Sequence, residues 1–347
     1  MVNTRSRSLP NEEMEGALAS GEDRIGALPD DLLQNVMSFL LSRDAMRTCV
    51  LARRWSTLWK SVPALRIEDD LATDSNKFVD ELLRLRDPAP LNVCDICDVS
   101  EDSDTEDPET FCEEAYNRIA PCLRYALLHQ VRVLRVSAPV FPTDLVLVSS
   151  HLKRVELCHM QFEDSLDFSS CQVLDVLEMT DCNIYAPIIC QSLRHLNMKG
   201  GCFDNEVRYH ISAPNLVSLK LAPESGLTPL LDSMPSLVTA SVESSEEEFH
   251  HCFALLSCDD GCTREETFSV VLEGLSAATN LELTSDDLKQ RVNGTDERYA
   301  PKKQSLPSKH LKIVKIICGL MKDDARVYRA LKMLCAHGVP FEKIDIQ

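Results

Sequence analysis

Between residues 131 and 242 one apolar figure recurs: an apolar residue, two free positions, a second apolar residue, one free position, a third apolar residue. It is written six times, as VRVLRV (131–136), LKRVEL (152–157), LDVLEM (174–179), LRHLNM (193–198), LVSLKL (216–221) and LVTASV (237–242), with starts 21, 22, 19, 23 and 21 residues apart. The closing alternation of each figure has the period of two expected of a short strand with one buried face. Small, Cys or Asn residues and a further apolar anchor follow several of them: CHMQF after 157, TDCNI after 179 and KGGCF after 198. Units this short bury an apolar face only against their neighbours, so they are expected to stack into one elongated core with a parallel sheet along one side. Alternation then turns Arg135, Glu156, Glu178, Asn197, Lys220 and Ser241 outward, as a candidate surface for holding a partner.

The flanks extend the pattern. ALRIEDD (64–70) and PLNVCDI (90–96) predict irregular first strands with a helix over 76–86 between them. After 242 the period lengthens; Phe268–Leu275 reads as a helix leading into ATNLEL (278–283), a strand of the same figure 41 residues on. Residues 289–309 are polar and unpatterned, as a linker would be. From 310 to 347, LKIVKII alternates as a strand, Asp323 and Asp324 open a helix through Cys335, Gly338 closes it, and FEKIDI returns as a strand. That is a βαβ unit.

The amino-terminal pattern is helical. After a polar leader (1–22), Pro29 suits a first helical position and Asp30 and Asp31 complement the helix dipole. Leu32, Leu33, Val36, Met37, Phe39, Leu40 and Leu41 then recur at helical spacing over about three turns. Ser42-Arg43-Asp44 breaks the pattern and is expected to cap a second helix over 45–51. A third segment, Ala52 to Lys60, sets Trp55 and Trp59 four apart and ends before Pro63. About forty residues in three short helices have little core of their own, so a partner is expected to complete them. Both tryptophans of the chain sit here, and the pattern leaves open whether they pack internally or form an interface hot spot.

Charge and cysteine content narrow the function. A net charge of -19 opposes nucleic-acid binding, which needs cations to displace phosphate counterions. Ten acidic and no basic residues between Asp95 and Glu114 predict a solvated loop over 95–114. The fifteen cysteines are odd in number, and residues 1–22 hold no apolar run of secretory length. No run of apolar residues reaches membrane-spanning length. Reduced thiols acting as small hydrophobes, in a cytoplasmic or nuclear protein, fit these features.

GxGxxG, GxxxxGK, GxSxG and HExxH do not occur. The best metal candidate, His250-His251-Cys252 with Cys258 and Cys262, is too loosely spaced for a zinc knuckle, and the one CxxC (Cys94, Cys97) lies far from it. No cysteine stands in an electropositive setting; Cys49 reads as a packing residue. Neither a metal nor a cofactor is expected, and no catalytic residue.

The segment DRIGALPDDLLQNVMSFLLSRDAMRTCVLARRWSTLWKSVP (23–63) resembles a plant-type F-box, through LPDDLL, DAMRTCVL and RRWSTLW at this spacing. Ala52 stands where that family usually has Ser. The repeat over 64–288 has the period of irregular leucine-rich repeats, about 20–29 residues, and 310–347 resembles the FBD unit. The whole is similar to plant F-box/leucine-rich-repeat/FBD proteins, which implies an α/β chain: a three-helix F-box, a repeat solenoid with a parallel sheet, and a C-terminal βαβ unit. The resemblance further implies a non-catalytic adaptor of a cullin–RING ubiquitin ligase. By position, Leu28, Pro29, Leu33, Val36, Phe39, Leu40, Val50, Trp55 and Trp59 would pack in or bind through the F-box to the Skp adaptor, while the repeats hold an unknown target protein. A scaffold that binds the adaptor without delivering a substrate remains the alternative.

Overall fold

The structure is a computed structural model, describing residues 25–68, 75–98, 108–142, 145–162, 166–204, 207–244, 275, 277–285, 313–318 and 341–346. It is an α/β chain. A helical region at the amino terminus leads into a parallel sheet of eleven strands, laid side by side in chain order.

Three short helices come first: α1 (Asp30–Met37), α2 (Ser42–Arg47) and α3 (Trp55–Leu58). The first is shorter than its apolar run. Ser38 ends it, its amide hydrogen-bonding back to Gln34 and Asn35 and its hydroxyl donating to the Asn35 carbonyl. The second begins at Ser42, three residues before the expected start. Ser42 is no cap: it is buried, and its Oγ accepts the Arg66 amide at 3.0 Å, so it serves the junction with the sheet.

The sheet strands are β1 (Ala64–Glu68), β2 (Val93–Cys97), β3 (Val133–Ser137), β4 (Arg154–Cys158), β5 (Val176–Thr180), β6 (His195–Lys199), β7 (Ser218–Ala222), β8 (Thr239–Ser244), β9 (Asn280–Ser285), β10 (Ile313–Cys318) and β11 (Ile344–Ile346). All six recurring figures, ALRIEDD, PLNVCDI, ATNLEL and both C-terminal alternations supply them. The three apolar positions of each figure point into the core. Leu152, Val155 and Leu157 are fully buried, as are Leu174 and Leu177, Leu193 and Leu216, with Leu196, Leu219 and Leu221 nearly so. At about 1.5–3 kcal/mol for each large apolar side chain, this stack is the main stabilising element.

A second, four-stranded sheet shares the core with the main one. Leu166–Asp167, Ile188–Ile189, His210–Ser212 and Leu230–Leu231 pair in parallel, and between the two sheets Gln161–Phe162 pairs with Asn183–Ile184. These strands carry two or three residues each, too few for an alternation to announce them. Met160, Phe162, Cys182, Ile184 and Phe203, the apolar anchors after the main strands, fill the space between.

The corners after the strands are tight. His159 and Asp181 take positive φ (58° and 52°) directly after β4 and β5, and Gly200 and Gly201 (66° and 68°) follow β6. A Cβ on Gly201 would sit 2.1 Å from the Cys182 carbonyl oxygen of the preceding corner. Glycine is therefore required both by backbone conformation and by stacking.

Two longer helices flank β2 in the chain. The first, α4 (Ser75–Leu85), lies where expected. The second, α5 (Pro108–Leu128), replaces part of the anticipated acidic loop. That loop is corrected at both ends: Asp95 to Cys97 lie in β2, and residues 108–114 begin α5. Burial of Ala115, Ile119, Cys122, Leu123 and Ala126 on one helix face outweighs local acidity and Pro121. Residues 99–107 lie outside the described residues. So do the helices expected over 268–274 and from Asp323 to Cys335, and the linker at 289–309.

Gly201→Ala is predicted to destabilise the fold by about 2 kcal/mol or more, since it adds left-handed backbone strain to a backbone clash. Urea unfolding followed by circular dichroism measures it; a midpoint equal to that of the unmutated chain contradicts the stacking argument.

Candidate functional site

Two surfaces carry groups that the fold itself does not use. The first lies on the helical region. Leu33 and Met37 face inward from α1, and Leu58 and Trp59 complete that small interior, with the Trp59 Nε1–H donated to the Ser56 carbonyl at 3.1 Å. Trp55 and Leu28 are half-buried against the same core. Pro29 is exposed and caps α1 in an extended conformation.

The remaining predicted positions stand open. Val50 is 84% exposed, Phe39 76% and Val36 56%, and Leu40 is exposed as well. Ile25, Leu32, Leu41 and Leu51 join them; Ile25 lies before the helical stripe and Leu51 at the end of the second helical segment, where periodicity gives neither an outward sense. Eight large apolar side chains open in fewer than thirty residues amount to far more than the scattered exposure of an ordinary surface.

The turn that presents this face is held by Arg54. Its Nη1 and Nη2 donate to the carbonyls of Gly26 and Leu28 at 2.6 and 2.7 Å, and its Nε donates to Asp30 Oδ1 at 2.7 Å. A planar guanidinium that satisfies three acceptors at once fixes the entry to α1. Nothing periodic marks this residue; only its place in RRW pointed to it.

Arg66 joins the helical region to the sheet. Its amide donates to Ser42, its Nε to the Ser38 carbonyl at 2.8 Å and its Nη1 to Asp95 Oδ2 at 2.6 Å. Arg86, nearly buried, donates from behind to the Ala64 and Val62 carbonyls, and the Asp87 amide donates to the Lys60 carbonyl at 3.0 Å. The buried residues of both regions form one continuous core.

The second surface is the outward face of the main sheet. Register places one outward residue per strand in a single row: Arg66, Asp95, Arg135, Glu156, Glu178, Asn197, Lys220, Ser241, Glu282, Lys315 and Asp345. The structure thus brings together all six positions singled out for target binding, from Arg135 to Ser241. Lys220 is exposed and the other five are half-buried.

Much of the row is paired with itself. Arg135 Nε lies 2.7 Å from Glu156 Oε2, and Arg154 on the same face reaches both Glu156 and, at 2.8 Å, Glu178. Burial pushes the Glu156 carboxyl up, but hydrogen bonds and charge from Arg154 and Arg135 outweigh it and hold the group below its ordinary value. At the far end Lys315 stands 3.5 Å from Glu282.

The buried thiols behave as packing groups, whereas Cys49, expected to pack, is exposed because the helical turn at 48–50 faces away from the small interior. Burial pushes Cys122 up to about 12 and Cys171 and Cys182 to about 11, so each stays protonated at neutral pH. Nine cysteines among the described residues are free. Among the described residues no group of three or more His, Cys, Asp or Glu is placed to hold a metal; the candidate at 250–262 lies outside them. No helix of the described residues is long and apolar enough to cross a membrane.

With this geometry in hand, comparison with known proteins places the helical region in a class: residues 25–66 match the F-box domain. The chain carries an F-box and is homologous over much of its length to plant proteins named for an F-box, an FBD and leucine-rich repeats. An FBD-associated F-box protein of Arabidopsis thaliana is 27% identical over 69% of this chain and 61% of its own length. A second is 29% identical over 64% of this chain and 59% of its own. An Arabidopsis F-box/FBD/LRR-repeat protein is 28% identical over 60% of this chain and 51% of its own. The chain thus spans between half and two thirds of these relatives. No solved structure matches it.

Two predictions follow from these contacts. Arg54→Ala is expected to lower the stability of the helical region by about 1–2 kcal/mol, because it strands the Gly26 and Leu28 carbonyls; faster amide exchange over 25–37, with the sheet unchanged, would register it. Glu156→Gln should cost about 1 kcal/mol at pH 7. Because the folded carboxyl titrates below its unfolded value, that difference should be present above the unfolded value and vanish as pH falls through the folded one. Thermal melts of both proteins from pH 7 to 3 give the comparison, and a gap independent of pH would refute the pairing.

Proposed function

We propose that this chain is a non-catalytic substrate-recognition subunit of an SCF-type cullin–RING ubiquitin ligase. In this reading the F-box at 23–63 binds the Skp adaptor, and a leucine-rich-repeat array over 64–288 holds the target protein on its outward sheet face. A leader (1–22), a linker (289–309) and an FBD-like unit (310–347) complete the organisation. The observation that carries the reading is the open apolar face of Val36, Phe39, Leu40 and Val50 within a segment that matches the F-box. Covering a side chain as open as Phe39 or Val50 stabilises a complex by about 1.5–3 kcal/mol. Leu28, Pro29 and Trp55 border the face, while Leu33 and Trp59 hold it from behind.

The mechanism is proximity. Bond-making between ubiquitin and a target lysine belongs to other subunits, and this chain raises the effective concentration of the two reactants. Rigid coupling through Arg66 and Arg86 supports it, because a fixed distance between the two binding faces keeps that concentration high. A cytoplasmic or nuclear setting fits the free thiols.

The test is capture of a purified Skp adaptor by the full chain. Phe39→Asp combined with Val50→Asp should reduce capture by about a hundredfold or more and leave the melting temperature nearly unchanged, because both side chains are open. Undiminished capture would overturn the interface. Reconstituted ubiquitination of a captured target then separates delivery from mere scaffolding.

A further inference from the structure

The outward row is electrostatically uneven, and the unevenness lies at its centre. Every arginine of the row, and Arg154 beside it, is held by a carboxylate: Arg66 by Asp95, Arg135 by Glu156, and Arg154 by Glu156 and Glu178. On β6 and β7 the pairing stops. Lys220 has no ion-pair partner among the described residues, nor has Lys199, two positions beyond Asn197 on the same face of β6. Register sets Lys220 beside Asn197 and Lys199 beside Ala222, so the two ammonium groups sit on diagonal positions of adjacent strands. Both residues are exposed.

Asn197 supplies a second, independent sign at the same place. Its Oδ1 is shielded from solvent and accepts no hydrogen bond. Such an acceptor is a standing cost to the free chain until a donor reaches it. Carboxylates do stand nearby, Glu178 held by Arg154, Asp181 in the corner after β5 and Glu243 diagonal to Lys220 on β8, but none of the described ones forms an ion pair with either lysine.

We propose that the β6–β7 part of the sheet face, through Lys199, Lys220 and Asn197, binds an extended acidic segment of the target protein, rich in Asp or Glu. The carboxylates meet the two unpaired ammonium groups, and the half-buried Asn197 amide, its Oδ1 shielded in the free chain, turns outward to accept a main-chain N–H of the segment. A protein of net charge -19 repels acidic partners in general, so an unpaired cationic spot confines such a partner to one place. The planar arginine forks that bind phosphate bidentately are already occupied, and the free cations are lysines acting as point charges, so Asp or Glu side chains are the class proposed and a phosphoserine peptide is the competitor that tests it. This inference rests on the reading of the sheet face as the target surface and adds the chemistry of what it takes.

The experiment uses the full chain bound to a purified Skp adaptor and three fluorescein-labelled twelve-residue peptides. One alternates Glu and Ser, one replaces every Glu with Gln, and one carries phosphoserine without Glu. Anisotropy should show the Glu peptide binding, the Gln peptide at least about tenfold weaker, and the affinity falling as salt rises. Lys199→Gln with Lys220→Gln should weaken the Glu peptide by about tenfold or more, and Asn197→Ala by about fivefold. As a control, Lys153→Gln, which removes a lysine outside the row, should leave binding unchanged. Adaptor capture by all variants should match that of the unmutated chain. A Glu peptide that fails to bind, that binds the double variant equally, or that is outcompeted by the phosphoserine peptide overturns the proposal. Loss of adaptor capture by the unmutated chain would instead refute the ligase reading.

Discussion

The burial of the L-x-x-L-x-L face of each unit against the next is the constraint on which everything else rests. A single unit of about twenty residues has no inside; Leu174 and Leu177 are shielded because Val155 and Leu157 lie on one side and Leu193 and Leu196 on the other. Keeping those contacts in register forces one strand per unit, parallel pairing, and a corner that returns the chain within a fixed length. The left-handed residues at 159, 181, 200 and 201 are consequences of that return. So is the outward row, because a core that repeats strictly must also repeat whatever points away from it.

The same core continues into the helical region, and this ties the open apolar face to the sheet. Val62 and Ala64 are buried at the boundary, Ser42 accepts from Arg66, and Arg86 clasps both Val62 and Ala64 through their carbonyls. A flexible tether would spread a bound target over a volume growing with tether length. On the proposed reading, a junction fixed by these hydrogen bonds holds it at one distance instead. Leu33 and Trp59 are therefore as necessary to the exposed face as Phe39 and Val50, although they contribute from beneath it.

How much of this was legible follows from how each element is encoded. The main strands were, because each combines an alternation with a recurring spacing, and the outward sense of Arg135 through Ser241 came with them. The second sheet was not, since strands of two residues such as Ile188–Ile189 have no period to detect. The helix α5 escaped because the acidity of 95–114 is a local signal, whereas its helicity depends on burying Ile119 and Leu123 against the sheet. Trp59 shows the limit of residue-type arguments: four-residue spacing stacks it above Trp55, yet one side chain turns inward and the other only half does. Arg54 had no pattern at all, being defined by carbonyls 26 and 28 residues away in sequence.

Self-pairing along the sheet face has a further implication for recognition. An ion pair already made, such as Arg135 with Glu156, must be broken or left intact when a partner arrives, so it adds little affinity, while it penalises a partner that desolvates it without replacing the contact. On the proposed reading of the sheet face as the target surface, the paired stretch from Arg66 to Glu178 acts mainly by exclusion. Attraction then has to come from groups whose partners are missing among the described residues, such as Asn197 and Lys220. Specificity on that reading is divided along the sheet: the paired strands state what does not fit, and the two near the centre state what does.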